Sequence, residues 1–393
     1  MKVGIITFHF VPNQGAVLQC CATKIFLEKN GHEAVVIDYR PKYHTVRYSK
    51  FKNPFLYARW FLKKNNDRRV LGRINLYLRC FVRAIVLSLT GKDNATLDEF
   101  NTFISKNLSL TERFFSYKQL KENPPVVDAC ICGSDQLWNP KLLDHELDKA
   151  YFLDFCDDKI PKVSYAVSIG ETQNSGYYEK LKEYSKALTS VSLREYDADI
   201  VSAIGRDVHI CIDPTLLLDD TDYEFLESKE LVQSEPYIFV YGFENTDGLH
   251  EAIKVVKNKY KCIVINGSPN RIKIPNAKNL SNYGPDRFLT LIKNSECVVT
   301  NSFHGTAFSI VYKKDFITVA HSTRSIRMVE LLGKLNLDYR LWSNIDFSFE
   351  KTIDWEAVYK KLQVLRQYSG DYLLESIQGI RGEDIPHGDE EII

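Results

Sequence analysis

The sequence predicts an α/β protein built from two doubly wound parallel sheets facing each other across a cleft, with a long helix late in the chain. Three observations carry that expectation. A short apolar strand, a turn and a helix recur from the first residues onward, the rhythm of a parallel sheet covered on both faces. That rhythm breaks once, in the polar and acidic stretch DDTDYEFLESKELVQSEP at 219–236, and then restarts. The chain has 393 residues, 44% hydrophobic and 26% charged, enough for two cores and unlike disordered, collagen-like or coiled-coil chains. The expected division is 1–220, with a basic helical insertion at 40–110, and 221–393, with the final helix. One large single domain is the alternative.

Taken in order, Val3–Phe8 reads as a buried strand, Gly15–Asn30 as a helix ended by Gly31, and Glu33–Asp38 as a second strand. Strands at Asp128–Cys132, Val163–Ser168 and Asp207–Ile212 follow, with helices at Tyr177–Leu188 and Glu195–Ile204. After the break come a strand at Tyr237–Tyr241, a helix at Gly248–Lys259 and a strand at Lys261–Asn266. A helix at Pro285–Asn294 then leads to strand Cys297–Thr300, helix Gly305–Tyr312 and strand Asp315–Ala320. Asp354–Ser376 reads as the final long helix, ahead of an acidic tail.

Charge and cysteines narrow the class. The 51 Lys+Arg balance 51 Asp+Glu, which argues against a dedicated nucleic-acid binder. The nine cysteines sit mostly in apolar stretches such as HICID and SECVVT, and none forms a CxxC pair. They predict small buried hydrophobes in a reducing compartment and no metal site. MKVGIITFHF runs straight into strand-like residues without a small-residue cleavage site, so no signal peptide is expected. The least polar segment, INLYLRCFVRAIVLSLT at 74–90, is interrupted by Arg79 and Arg83 and is too short and charged to span a bilayer. A cytoplasmic protein is expected.

Four constellations can carry chemistry. The loop after the first strand, His9 to Gly15, lies where ligands bind in a doubly wound sheet, with Asn13, Gln14 and Gly15 at a helix N-terminus. It lacks the GxGxxG fingerprint, and a turn capped by Asn13 fits as well. CICGSDQLWNP (130–140) leaves Ser134, Asp135 and Gln136 at a strand end, where they suit sugar hydroxyls and Asp135 suits a base. An N-cap with Trp138 in the core is the alternative. Arg194-Glu195 follows a strand directly, placing an arginine for a carboxylate or phosphate, or simply in solvent. In CVVTNSFHGTAFSIVY (297–312), Asn301 and Ser302 end a strand, and Phe303, His304, Gly305 and Thr306 open a helix. That is an anion pocket, with a histidine suited to bind phosphate or act as an acid near neutral pH. A capping or packing histidine is the other reading.

These residues resemble the polysaccharide pyruvyl transferase family. The resemblance rests on NQGAVLQ (13–19), GSDQLWN (133–139), SYAVSIG (164–170), SLRE (192–195) and IDPTLLL (212–218). It continues through YGPDRFLTLIKNSECVVTNSFHGTAFSI (283–310) and RMVELLGKLNL (327–337). It implies two Rossmann-like domains of the GT-B type, with phosphoenolpyruvate as donor substrate and no cofactor. The implied reaction moves the pyruvyl group to two hydroxyls of one sugar as a ketal, in capsule or exopolysaccharide biosynthesis. The family's donor-binding arginine matches Arg194 and its histidine matches His304. His304, Arg194, Ser302, Gly305 and Thr306 are thus the expected donor residues, with Asp135 the expected base and Glu195 set to orient Arg194. Family members often carry an arginine at the position of Ser302, so one anion contact is expected from Arg271, Arg324 or Arg327. The rivals are a glycosyltransferase using a nucleotide sugar and a non-catalytic sugar-binding protein.

One further stretch stands apart. Residues 40–92 hold 14 Lys+Arg and a single acid, Asp67, interleaved with aromatics, so the zero net charge joins an acidic body to a basic patch. A helix at 68–89 would carry arginines on one arc and apolar residues on the other. Two readings fit: peripheral binding to an anionic membrane surface, in keeping with a lipid-linked sugar acceptor, or a covering helix with its apolar arc on the core.

Overall fold

A computed structural model of the chain describes residues 1–64, 70–91, 94–143, 146–170, 175–230, 234–269, 272–320, 326–342, 349 and 351–387. The first sheet holds β1 (Lys2–Ile6), β2 (Glu33–Tyr39), β3 (Leu110–Phe114), β4 (Ala129–Asp135), β5 (Lys162–Val167), β6 (Ser190–Leu193) and β7 (His209–Ile210). Their order is β3-β2-β1-β4-β5-β6-β7, so the winding reverses between β1 and β4. Val3 pairs with Ala34 on one side and Ala129 on the other. The second sheet holds β8 (Tyr237–Tyr241), β9 (Ile263–Asn266), β10 (Lys278–Asn279), β11 (Cys297–Thr300), β12 (Asp315–Val319) and β13 (Leu341–Trp342). Its order is β10-β9-β8-β11-β12-β13, with the reversal between β8 and β11, and its pairings too are parallel. Such sheets bind ligands beyond the carboxyl ends of the strands at the reversal. Each half therefore offers one crevice.

Helix Gln14–Lys29 is the seam between the halves. Its sequence AVLQCCATKIF has no polar face, and 12 of its residues are buried. A helix apolar all round needs cover on every side. It finds that cover between the first sheet and helix Pro285–Lys293, in one continuous core that includes Leu18, Cys21, Phe288 and Leu291. The final helix, Trp355–Ile377, was expected with the second half by chain order, but it packs back on the first sheet. Tyr372 donates to the Ser164 carbonyl, Ser369 Oγ accepts from the Ile212 N–H, and Arg366 donates to the carbonyls of Leu216 and Leu218.

Between β2 and β3 lie helices Lys42–Tyr48, Pro54–Lys64, Val70–Thr90 and Asn94–Asn107. The expected helix start at Arg68 falls outside the described residues. Helices Pro54–Lys64 and Val70–Thr90 pack on each other around Tyr57, Ala58, Cys80 and Ala84. Of the two orientations open to the longer helix, the covering one is not observed: Leu71, Ile74, Leu78, Val82 and Leu89 are exposed. The cysteines are all free and eight are buried. Among the described residues, no helix is long and apolar enough to cross a membrane.

Candidate active site

The first crevice is tied together by a glutamine. Asn13 Oδ1 caps helix Gln14–Lys29 by accepting from the Ala16 N–H at 3.1 Å. One turn on, Gln19 is fully buried and its amide donates to Thr7 Oγ1 at 2.8 Å. Its oxygen accepts from the Ser134 N–H at 3.0 Å, so the ends of β1 and β4 are fixed to each other. Asp135 follows in the left-handed region at φ 76°, which an aspartate tolerates better than most residues. Its carbonyl accepts from the Ser168 N–H and its carboxylate from the Gln136 N–H.

Behind Asp135 lies a buried ion pair. Arg194 leaves β6 with its guanidinium against Asp213, Nη2 to Oδ2 at 2.6 Å, both side chains almost without exposure. Ser134 Oγ meets the same two groups: it accepts from Arg194 and donates to Asp213 at 3.2 Å. Thr215 donates to the other carboxylate oxygen through its N–H and hydroxyl. Burial alone would push the Asp213 carboxyl up, but Arg194 and His304 hold it well below the usual carboxylate range. Glu195, expected to orient Arg194, turns elsewhere. Its Oε1 accepts from the Ser168 hydroxyl and from the N–H groups of Ile169 and Gly170.

The second half brings the histidine. Ser302 caps helix Phe303–Val311 by accepting from the Gly305 N–H. His304 Nε2 lies 3.6 Å from Asp213 Oδ2, a contact longer than a hydrogen bond. Its ring lies against Gly15, where a Cβ would come within 2.0 Å of Nδ1. Phe303 sits beneath two cations, with Arg194 4.8 Å and Arg327 5.8 Å from its ring centre. Across the seam, Tyr241 donates to Gln14 Oε1 at 2.9 Å.

Two adjoining cavities result. One of about 100 Å³ lies between the halves, lined by Asn13, Asp135, Gln136, Asn301, Ser302, Phe303, His304 and Arg327 among others. The second, of about 280 Å³, shares Asn13, Asp135 and Gln136 and is walled by Phe8, Tyr43, His44, Tyr48 and Trp60. Most of the candidate residues are thus brought to one place, with Asp135 on the wall common to both cavities.

Several take other parts. The Thr306 hydroxyl donates to the Ser302 carbonyl and bonds Thr318 Oγ1, and Thr306 lines neither cavity. A Cβ on Gly305 would lie 2.3 Å from Thr300 Oγ1, so close packing on β11 is what requires a glycine there. Asn301 holds the Phe243–Glu244 backbone. Gln14 lines a different cleft, described below. Arg271 and Arg324 fall outside the described residues, which leaves Arg327 as the described candidate for the extra anion contact.

Asp213, Gln19 and Phe303 were not among the expected site residues. The signal for Asp213 was a strand followed by Asp-Pro, which reads as a turn, and it does cap one here. One cluster of metal-ligating type exists among the described residues, Asp207, His209 and His387. Both ring nitrogens of His209 are already engaged, by the Tyr368 hydroxyl and the Gly382 carbonyl, so the cluster serves as a clasp for the end of the chain.

The family model described as polysaccharide pyruvyl transferase matches residues 13–323. Among curated proteins none matches the chain. Solved structures with a similar fold include a UDP-GlcNAc 2-epimerase from Neisseria meningitidis bound to UDP-GlcNAc. It is 11% identical, with TM-score 0.45 over 97% of this chain and 100% of that one. An S. aureus MnaA–UDP complex is 10% identical, with TM-score 0.46 over 99% and 92%. An alpha-glucosyltransferase in complex with UDP-glucose and DNA is 10% identical, with TM-score 0.46 over 100% and 96%.

Proposed function

The chain belongs to the polysaccharide pyruvyl transferase family, and from that premise we propose that it transfers the pyruvyl group of phosphoenolpyruvate to two hydroxyls of one sugar as a ketal. The observation that carries the reading is a set of buried nitrogens that make no hydrogen bond: Nε and Nη1 of Arg194 and Nε2 of His304. Buried donors left unpaired cost roughly 1–3 kcal/mol each, so they point to a ligand that brings acceptors. Beside them stand the N-terminus of helix Phe303–Val311 and the Arg327 guanidinium, both suited to negative charge. A compact molecule carrying carboxylate and phosphate suits such a set, although Arg194 lines neither cavity and is reached only if the groups around it give way.

The proposed chemistry assigns each of these groups a part. His304 gives a proton to the methylene carbon of the donor, and the double-bond pair forms the new C–H bond. The cation left on the adjacent carbon is attacked by one sugar hydroxyl. Phosphate leaves with the C–O bond pair, and the second hydroxyl closes the ketal. Of the two hydroxyl protons lost, one balances the new methyl hydrogen and the other goes to the departing phosphate. Arg194 and Arg327 hold the anionic groups, and Asp135, on the wall between the cavities, takes a hydroxyl proton. The aromatic cavity of Phe8, Tyr43, Tyr48 and Trp60 receives the sugar ring. The proposed acceptor class, in keeping with the family, is a capsular or exopolysaccharide intermediate on a lipid carrier.

The test is incubation with phosphoenolpyruvate and a panel of glycosides, with phosphate release and the mass gain of a pyruvate ketal as readouts. Full turnover by His304→Ala would remove His304 from the scheme. One observation favours a second reading, a transferase using a nucleotide sugar: a cleft of about 800 Å³ lined by Gln14, Asn266, Ser268, Lys273, Asn279 and Tyr283. Release of nucleotide in place of phosphate would select it.

A further inference from the structure

The insertion leaves an apolar face in water. On helix Val70–Thr90, Leu71, Ile74, Leu78, Val82, Val86 and Leu89 are exposed at spacings of three and four, which puts them on one side. Phe51 and Phe55 are exposed on the preceding turn and helix, and Leu71 and Leu89 are each 82% accessible. Soluble proteins seldom leave so continuous a patch uncovered. The cations of the same helices, Arg59, Lys63, Arg73, Arg79 and Arg83, are exposed as well.

We propose that this face docks on an anionic lipid bilayer. The Val70–Thr90 helix lies in the interface plane, its apolar side chains at the boundary between headgroups and acyl chains and its arginines on lipid phosphates. Charge selects this occupant. A second copy of the chain would bring the same 14-to-1 excess of basic over acidic residues to the contact. An anionic surface turns that repulsion into attraction. Spanning is not at issue, since no described helix is long and apolar enough to cross. The inference stands apart from the proposed reaction, although the Pro54–Lys64 helix serves both: Trp60 lines the aromatic cavity while Phe55 and Arg59 face outward.

Sedimentation of the full chain with vesicles tests it, using phosphatidylcholine alone and phosphatidylcholine with about a third phosphatidylglycerol. Binding to the anionic vesicles is expected, weakening as salt is raised from about 0.1 to about 0.5 M. Leu78→Gln/Val82→Gln should lower vesicle partition by about tenfold or more. Arg79→Gln/Arg83→Gln should lower it on the anionic vesicles only. All four side chains are exposed, so thermal melts of both variants should match the parent. Three results would overturn the proposal: no sedimentation with anionic vesicles, equal partition by Leu78→Gln/Val82→Gln, or self-association in vesicle-free ultracentrifugation that this variant abolishes.

Discussion

Replacing Gly15 by alanine probes the site at its narrowest point, because Gly15 and His304 come from opposite halves. The new Cβ would lie 2.0 Å from Nδ1, 2.3 Å from Cγ and 2.6 Å from Cε1 of His304. Comfortable contact needs about 3.5 Å, so the imidazole must shift by more than about 1 Å or the halves must part. The shift costs less, since the ring borders a cavity while the seam is packed on both sides. Gly15 lies in the first turn of a helix, where alanine on its own is the better residue, so any loss reflects the contact and not the backbone. A misplacement of about 1 Å at a reacting group costs on the order of a hundredfold in rate, or roughly 2.7 kcal/mol. Phosphate release with an active glycoside should therefore fall by about that factor, while the melting temperature moves little. Gly15→Ala added to His304→Ala should slow the enzyme no further, so that a double-mutant cycle returns a coupling close to the whole loss. Wild-type turnover in Gly15→Ala, or losses that simply add, would refute the idea that this contact places the imidazole.

Other outcomes follow from the same geometry. Asp213→Asn leaves the buried Arg194 without its carboxylate and should cost about 3–5 kcal/mol in urea unfolding; a loss below 1 kcal/mol on the same scale would deny the pair that role. Burial opposes the charge of both Asp213 and Asp38, yet Arg194 and His304 hold the first well below the usual range, and His9, Arg40 and Arg113 the second. Their stabilisation is thus complete above about pH 4 and lost as pH falls further through the depressed native values, so unfolding free energy should drop steeply there and Asp213→Asn should flatten the slope. Arg194→Lys keeps the charge but loses the planar fork, and the donor KM should rise by about tenfold or more. Trp60→Ala should raise the acceptor KM while leaving the donor KM alone; the reverse pattern would move the sugar out of the aromatic cavity.

What the sequence showed and what it hid divide along a physical line. Strand–helix alternation marked both sheets because each buried strand is a continuous apolar run. β10 and β13, two residues each at sheet edges, bury too little to leave such a signal. The arc of arginines and the apolar arc on the basic helix were plain, but periodicity states only that two faces differ. Which one meets the core depends on what packs there, and Tyr57 and Ala58 of the neighbouring helix take the side of Cys80 and Ala84. Thr306 was read as an anion contact because it follows His304, whereas Thr318 on β12, a strand away, settles where its hydroxyl goes. Asp213 was hidden for the same reason: its partners stand 19 residues before it, at Arg194, and far beyond it, at His304.

Those partners explain why an acid sits at the heart of the proposed anion site. A guanidinium buried alone would destabilise the empty protein by several kcal/mol. Asp213 removes that penalty while occupying only Nη2, so Nε and Nη1 stay available. The same carboxylate faces His304 across the seam, beside the Gly15 contact and the Tyr241–Gln14 hydrogen bond. Neither half therefore holds a complete site: the arginine and its counter-ion belong to the first, the histidine and the helix N-terminus to the second. A parting of the halves would lengthen the Asp213–His304 contact, which stands at 3.6 Å. In the proposed reaction, competence for chemistry depends on how the halves meet, and the final helix touches both, bonding the first half through Arg366, Ser369 and Tyr372 and the Ile310 and Val311 carbonyls of the second through Tyr359.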